Sequence, residues 1–92
     1  MANAEIIFRT PPTDAFQVVD LDPFVALYDR RSGQTHLLAE PAPQLLRLLA
    51  TPMTRAALTA ALREAYDLPD LTDEALAARL DELVAVGLVA AA

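Results

Sequence analysis

The chain has 92 residues, 54% of them apolar, no cysteine, and a formal net charge of −6 from thirteen acids and seven bases. That length holds one domain, residues 1–92, with a modest core, because a chain this size hides only about two-thirds of the surface it exposes unfolded. The missing cysteine excludes disulfides and thiolate metal sites, and the scattered bases, all arginine, argue against nucleic-acid binding, which needs clustered cations.

Met1 to Glu5 lacks the basic flank and apolar run of a signal peptide. No apolar stretch approaches the roughly 18 residues of a membrane helix, so a cytoplasmic location is expected.

The first forty residues read as strands. Ile6 to Arg9 is a short β-rich run stopped by Pro11-Pro12, which cannot donate to a ladder, and Phe16 to Val19 is a second run. Phe24-Val-Ala-Leu-Tyr28 and Thr35-His-Leu-Leu38 form a predicted hairpin over about 24–38. Its turn chemistry lies at Ser32-Gly33, where Gly33 takes positive φ at little cost.

Beyond Glu40 the apolar period becomes helical. Pro41-Ala-Pro43 suits a first helical turn, and Leu45, Leu46, Leu48 and Leu49 follow at helix spacing, giving a helix over about 42–50 that Thr51-Pro52 ends. A second helix, about 54–66, is capped by Thr54 and carries Leu58, Ala61, Leu62 and Ala65 inward until Asp67-Leu-Pro69 breaks it. The third spans about 73–86. Thr72 is its N-cap, Asp73 and Glu74 complement the dipole, Leu76, Leu80, Leu83 and Val84 form one face, and Gly87 occupies the left-handed C-cap position. Leu88-Val89 is expected to continue as a short strand or to pack on the core, and the alanine tail to fray. The fold class is α+β and winged-helix-like: short N-terminal antiparallel strands, then a three-helix bundle.

Catalytic chemistry is sparse. His36 is the only histidine, and a Ser–His–acid arrangement would have to recruit Ser32 from the adjoining turn. One imidazole among scattered carboxylates makes no metal site, and two glycines make no phosphate loop. Asp20 and Asp22 fit a solvated turn better than a chelate, and Asp73-Glu74 and Asp81-Glu82 fit capping and a wet helix face. No enzymatic activity, metal or cofactor is expected.

Thr35-His-Leu-Leu-Ala-Glu-Pro-Ala-Pro-Gln-Leu-Leu46 resembles the strand-to-helix junction of PqqD-like proteins, matching at Leu38, Glu40, Ala42, Gln44, Leu45 and Leu46. Arg79 to Val89, with its Gly-Leu-Val end, is similar to the family's last helix, and Thr54, Leu58 and Leu62 to its middle helix. The resemblance covers about Phe24 to Val89. Ala39 and Pro41 depart from it, standing where the family usually has Asn and Ser and so removing two capping side chains. The turn leading into Ser32-Gly-Gln-Thr-His-Leu-Leu38 looks most like the branch associated with an HPr-kinase-related protein.

That resemblance implies a non-catalytic chaperone that holds the leader of a ribosomally made precursor peptide and presents it to a modifying enzyme. The leader would add as a strand beside Thr35, His36, Leu37, Leu38 and Ala39, over a groove shared with the helix Ala75–Val86. On that helix the flank beside the core face carries Ala75, Arg79, Glu82 and Val86, of which Arg79 would pair an acidic ligand side chain. Two other readings are a winged-helix DNA-binding regulator and a structural subunit of a larger complex. The first is disfavoured because residues 73–86 carry four acids and one arginine, a net −3 on the helix that would enter the groove of DNA.

Overall fold

A computed structural model describes residues 5–92. Met1 to Ala4, on which the reading of the chain's start as lacking a signal flank largely bears, lie outside the described residues. In chain order the elements are β1 (Ile7–Arg9), β2 (Phe16–Asp20), β3 (Val25–Asp29), β4 (Gln34–Leu38), α1 (Ala42–Leu48), β5 (Met53–Thr54), α2 (Arg55–Ala65), α3 (Asp73–Ala85) and β6 (Ala90–Ala91). This is the expected α+β, winged-helix-like order, with two strands added between and after the helices.

The strands form two antiparallel sheets, β5-β1-β6 and β2-β3-β4. In the second, Leu27 faces Val18 on one side and His36 on the other. Turn chemistry sets this register. Gly33 takes φ +76°, and its N–H donates to the Asp29 carbonyl at 2.8 Å, closing the β3–β4 turn.

Leu27 and Leu38 turn inward from this sheet onto Leu45 and Leu49 of the α1 region, Leu58 and Leu62 of α2, and Leu76, Leu80 and Leu83 of α3, and Val25 is buried on the same face of the sheet. Burying one such leucine contributes about 1.5–3 kcal/mol, so the leucine-rich stripes, more than helix propensity, hold these short helices in place.

The helix ends follow their caps. Thr54 and Thr72 accept from the N–H groups of Ala57 (3.2 Å) and Ala75 (3.0 Å). α1 stops at Leu48, two residues short of the expected end, because the chain tightens: Ala50 and Thr51 donate to the carbonyls three residues back, Arg47 and Leu48. Pro52 then disfavours helical backbone at Thr51. The N-terminal end of α1 has Pro41 as its cap and no side-chain capping bond.

α3 ends in a Schellman motif. Gly87 adopts φ +82°, Leu88 N–H donates to the Leu83 carbonyl at 3.0 Å, and Gly87 N–H donates to that of Val84 at 3.1 Å. Leu88 and Val89 then pack into the core.

The alanine tail departs from its expected fraying. Ala90 and Ala91 form β6 against β1, and Ile7 and Ala92 exchange backbone hydrogen bonds of 2.8 and 3.0 Å. The burial of Leu88 and Val89 just before it delivers the tail to the open side of β1. Those two bonds place Ile7 opposite Ala92, so the alternation of an antiparallel ladder commits the N–H of Ala90 to β1 and turns that of Ala91 away. Ala90→Pro is therefore expected to destabilise the protein by about 1–3 kcal/mol, and Ala91→Pro by clearly less, when urea unfolding is followed by circular dichroism.

Candidate functional site

β4 is an edge strand. Two hydrogen bonds fix which of its backbone groups are spare. Leu21 N–H donates to the Phe24 carbonyl and Arg30 N–H to that of Ala15, both at 2.8 Å, so the even-numbered residues of β3 bond to β2. By alternation Val25, Leu27 and Asp29 bond to Leu38, His36 and Gln34. The N–H and C=O groups of Thr35 and Leu37 point outward, to the free edge.

Along that edge runs a groove of about 520 Å³. One wall is Thr35, His36, Leu37, Leu38, Ala39 and Glu40; the other is Arg79, Glu82, Leu83 and Val86 of the α3 region, with Ala42 at the end. The helix residues recur at intervals of three and four, which puts them on one face. Leu83 belongs to the core, Val86 is half exposed, and Arg79 and Glu82 join in an ion pair of 2.8 Å. Arg79 is thus already engaged, and an acidic ligand would compete with Glu82 for it.

Of the nine residues singled out from the sequence, eight line this groove. Ala75 does not. It lies on the same flank one turn earlier, in the first turn of α3, where its N–H is taken by the Thr72 cap. His36 is half-buried, and its Nε2 atom is buried with no hydrogen-bond partner among the described residues. Among the described residues no three His, Cys, Asp or Glu side chains gather as a metal site would require, and no helix is long and apolar enough to cross a membrane.

A residue pair outside that nine sets the groove's geometry. Asp29, only 3% exposed, accepts from Arg31 at both carboxylate oxygens (3.0 Å each) and from the Arg31 N–H at 2.9 Å. Arg31 Nη2 also donates to the Gly87 carbonyl at 2.8 Å, and its guanidinium lies 5.3 Å from the centre of the Phe16 ring. One side chain therefore ties the β3–β4 turn to the C-terminal end of α3. Sequence offered a faint signal for it: an acid at the end of an inward-facing alternation, two residues before an arginine.

The Arg31 guanidinium holds the Asp29 carboxyl below the ordinary carboxylate value, against the opposing effect of burial, and the Arg31 amide adds to the lowering. A carboxyl whose folded-state pKa is depressed stabilises the fold above its unfolded pKa, about 3.9, and that stability is lost as pH falls through the folded value. Acid unfolding should therefore steepen below about pH 4 in the native chain, and this increment should be absent in Asp29→Asn when the pH dependence of urea midpoints is compared.

Residues 25–89 match the family described as "Coenzyme PQQ synthesis protein D (PqqD)", and the chain belongs to that family. The match spans β3 to the Gly-Leu-Val end of α3, which includes both walls of the groove. Among solved structures the fold is similar to "Lasso peptide synthetase B1 complexed with the leader peptide", with TM-score 0.62 and 24% sequence identity over 90% of this chain and 96% of that one. No curated protein sequence matches the chain.

Proposed function

We propose that the protein is a non-catalytic peptide-binding partner in the biosynthesis of a ribosomally made, modified peptide. It holds the precursor's leader as an added strand on β4 and presents it to a modifying enzyme. The observation that carries this reading is the spare hydrogen-bonding edge at Thr35 and Leu37, open along a groove shared with α3. Strand addition draws affinity from main-chain bonds and specificity from pockets for alternate side chains.

Family membership supports the reading, as does the fold shared with a protein described in complex with a leader peptide. The residues proposed to contact peptide are Thr35, His36, Leu37, Leu38, Ala39, Arg79, Glu82 and Val86, with Ala75 reached only by a peptide extending a turn beyond the groove. The resemblance of the β3–β4 turn to the HPr-kinase-related branch makes an enzyme of that association the proposed partner. A cytoplasmic site of action fits such a role. DNA binding is disfavoured by the exposed acids Asp73, Glu74, Asp81 and Glu82 on α3, the helix a winged-helix regulator would place in the groove.

Backbone and charge substitutions test the groove by titration calorimetry against any short precursor-like peptide found encoded beside the gene. Leu37→Pro deletes an outward N–H that β3 does not use, so the hairpin should survive while affinity falls about tenfold or more. His36→Pro, which removes a bond to β3, is the variant expected to unfold the hairpin. His36→Ala should leave the fold intact.

Arg79→Glu should also weaken binding about tenfold at nearly unchanged melting temperature, since an exposed ion pair contributes roughly 0–1 kcal/mol. Arg55→Glu, whose partner Asp81 lies outside the groove, should change affinity little. Peptide-induced amide shifts clustered at Arg55 and Arg63, with Thr35–Ala39 silent, would rule out strand addition.

A further inference from the structure

The other flank of the β2-β3-β4 sheet carries a second recess, of about 370 Å³, between the inner face of β2 and β3 and the helix α1. Its walls include Phe16, Val18, Val25 and Leu46, and Arg47 is its one charged lining residue. Val18 stands opposite Leu27 and on the same inward face, yet it is 58% exposed: a core-facing position that nothing covers. Thr10 anchors the rim by donating its N–H and hydroxyl to the Leu49 carbonyl at 3.0 and 3.3 Å.

Arg47 brings a cation to this apolar recess. Arg31, Arg55, Arg63 and Arg79 each pair with a carboxylate; Arg9, Arg30 and Arg47 have no acidic partner among the described residues, and of these three only Arg47 lines the recess. The recess calls for an apolar side chain carried next to a carboxylate.

This chain presents such a knob beside the recess. The β2–β3 turn exposes Leu21 (54%) between Asp20 and Asp22, followed by half-exposed Phe24, and Val25 of the recess comes next in sequence. The turn is shaped by the Leu21 N–H bond to the Phe24 carbonyl and by the Asp22 N–H bond to Asp20 Oδ1 at 3.1 Å. Val18, Leu21 and Phe24 are three of the eight large apolar residues that the described surface exposes, within seven positions of the chain, while Val19 turns to the other face of the sheet. A concentration of that kind marks an interaction surface.

We propose that the recess binds the Asp20–Phe24 turn of a second copy of this chain, reciprocally. Leu21 enters against Val18 and Leu46, and Asp22 meets Arg47. Knob and recess adjoin, so one two-fold axis satisfies both contacts and closes the pair. The contact lies across the sheet from the β4–α3 groove and goes beyond the peptide-binding reading.

Sedimentation equilibrium of the whole chain from about 10 μM to 1 mM tests it. The expected result is a monomer–dimer equilibrium with a dissociation constant of about 0.1 mM, the weak affinity of a small interface between two acidic chains. Arg47→Glu and Asp22→Arg should each weaken it about tenfold or more, and Leu21→Ala similarly.

Mixing the Arg47→Glu and Asp22→Arg chains should restore dimers, because both contacts of the mixed pair are again opposite in charge. Arg79→Glu should leave dimerisation unchanged, which separates this contact from the β4–α3 groove. A monomer throughout, dimers indifferent to Arg47→Glu, dimers that depend on Arg79, or no rescue on mixing of chains that retain their native circular dichroism would each overturn the proposal.

Discussion

The bridge from Asp29 through Arg31 to the Gly87 carbonyl is the contact on which the rest of the site depends. β4 is tied to the helices through leucine packing, which is non-directional and would tolerate a strand edge lying closer to or further from α3. The bidentate pair and its third bond to the end of α3 are directional. They fix the distance between a strand edge and a helix flank, and so the width of the groove. The arrangement also relies on Gly87, whose positive φ lets the chain leave α3 in a Schellman turn while its carbonyl meets Arg31. Loss of Arg31 would leave a buried carboxylate without its cation, which costs more than the pair contributes when intact.

An open strand edge is a hazard for a small protein, since it is a template for any passing strand. β1 and β4 meet that hazard differently. The open side of β1 is closed by the chain's own Ala90–Ala91, whereas β4 keeps two residues' worth of backbone groups unpaired. What lies over the β4 edge is the C-terminal half of α3, with the Arg79–Glu82 pair exposed beside it. That wall presents charge along the open edge.

The parts of this structure that sequence made legible are those decided locally. Gly33 closes the hairpin because a positive-φ position admits glycine at little cost, and Thr54, Thr72 and Gly87 mark helix ends by chemistry that acts within one turn of the chain. The pairing of Thr35–Ala39 with the last helix came from the family resemblance, and the helix's 3.6 period then put Ala75, Arg79, Glu82 and Val86 on one flank. β5 and β6 were not legible. Met53–Thr54 and Ala90–Ala91 have no strand pattern of their own and pair with β1 only because the helices deliver them there. The Arg31 bridge was hidden likewise, since its third bond reaches 56 residues along the chain.

The register also constrains what a bound peptide could be. A strand added outside Thr35 and Leu37 would alternate its side chains between the two faces of the sheet. On one face they meet Leu83, Val86 and the Arg79–Glu82 pair; on the other they lie beside Thr35 and Leu37, whose side chains are exposed. Only every second residue of the peptide can therefore be read, by one apolar stretch and one ion pair that must open to admit a competing charge. Glu40 is a further polar residue lining the groove, whereas the His36 Nε2 is buried and without a partner among the described residues. Affinity then rests on backbone pairing, which is common to all sequences, and selectivity on two or three inward side chains.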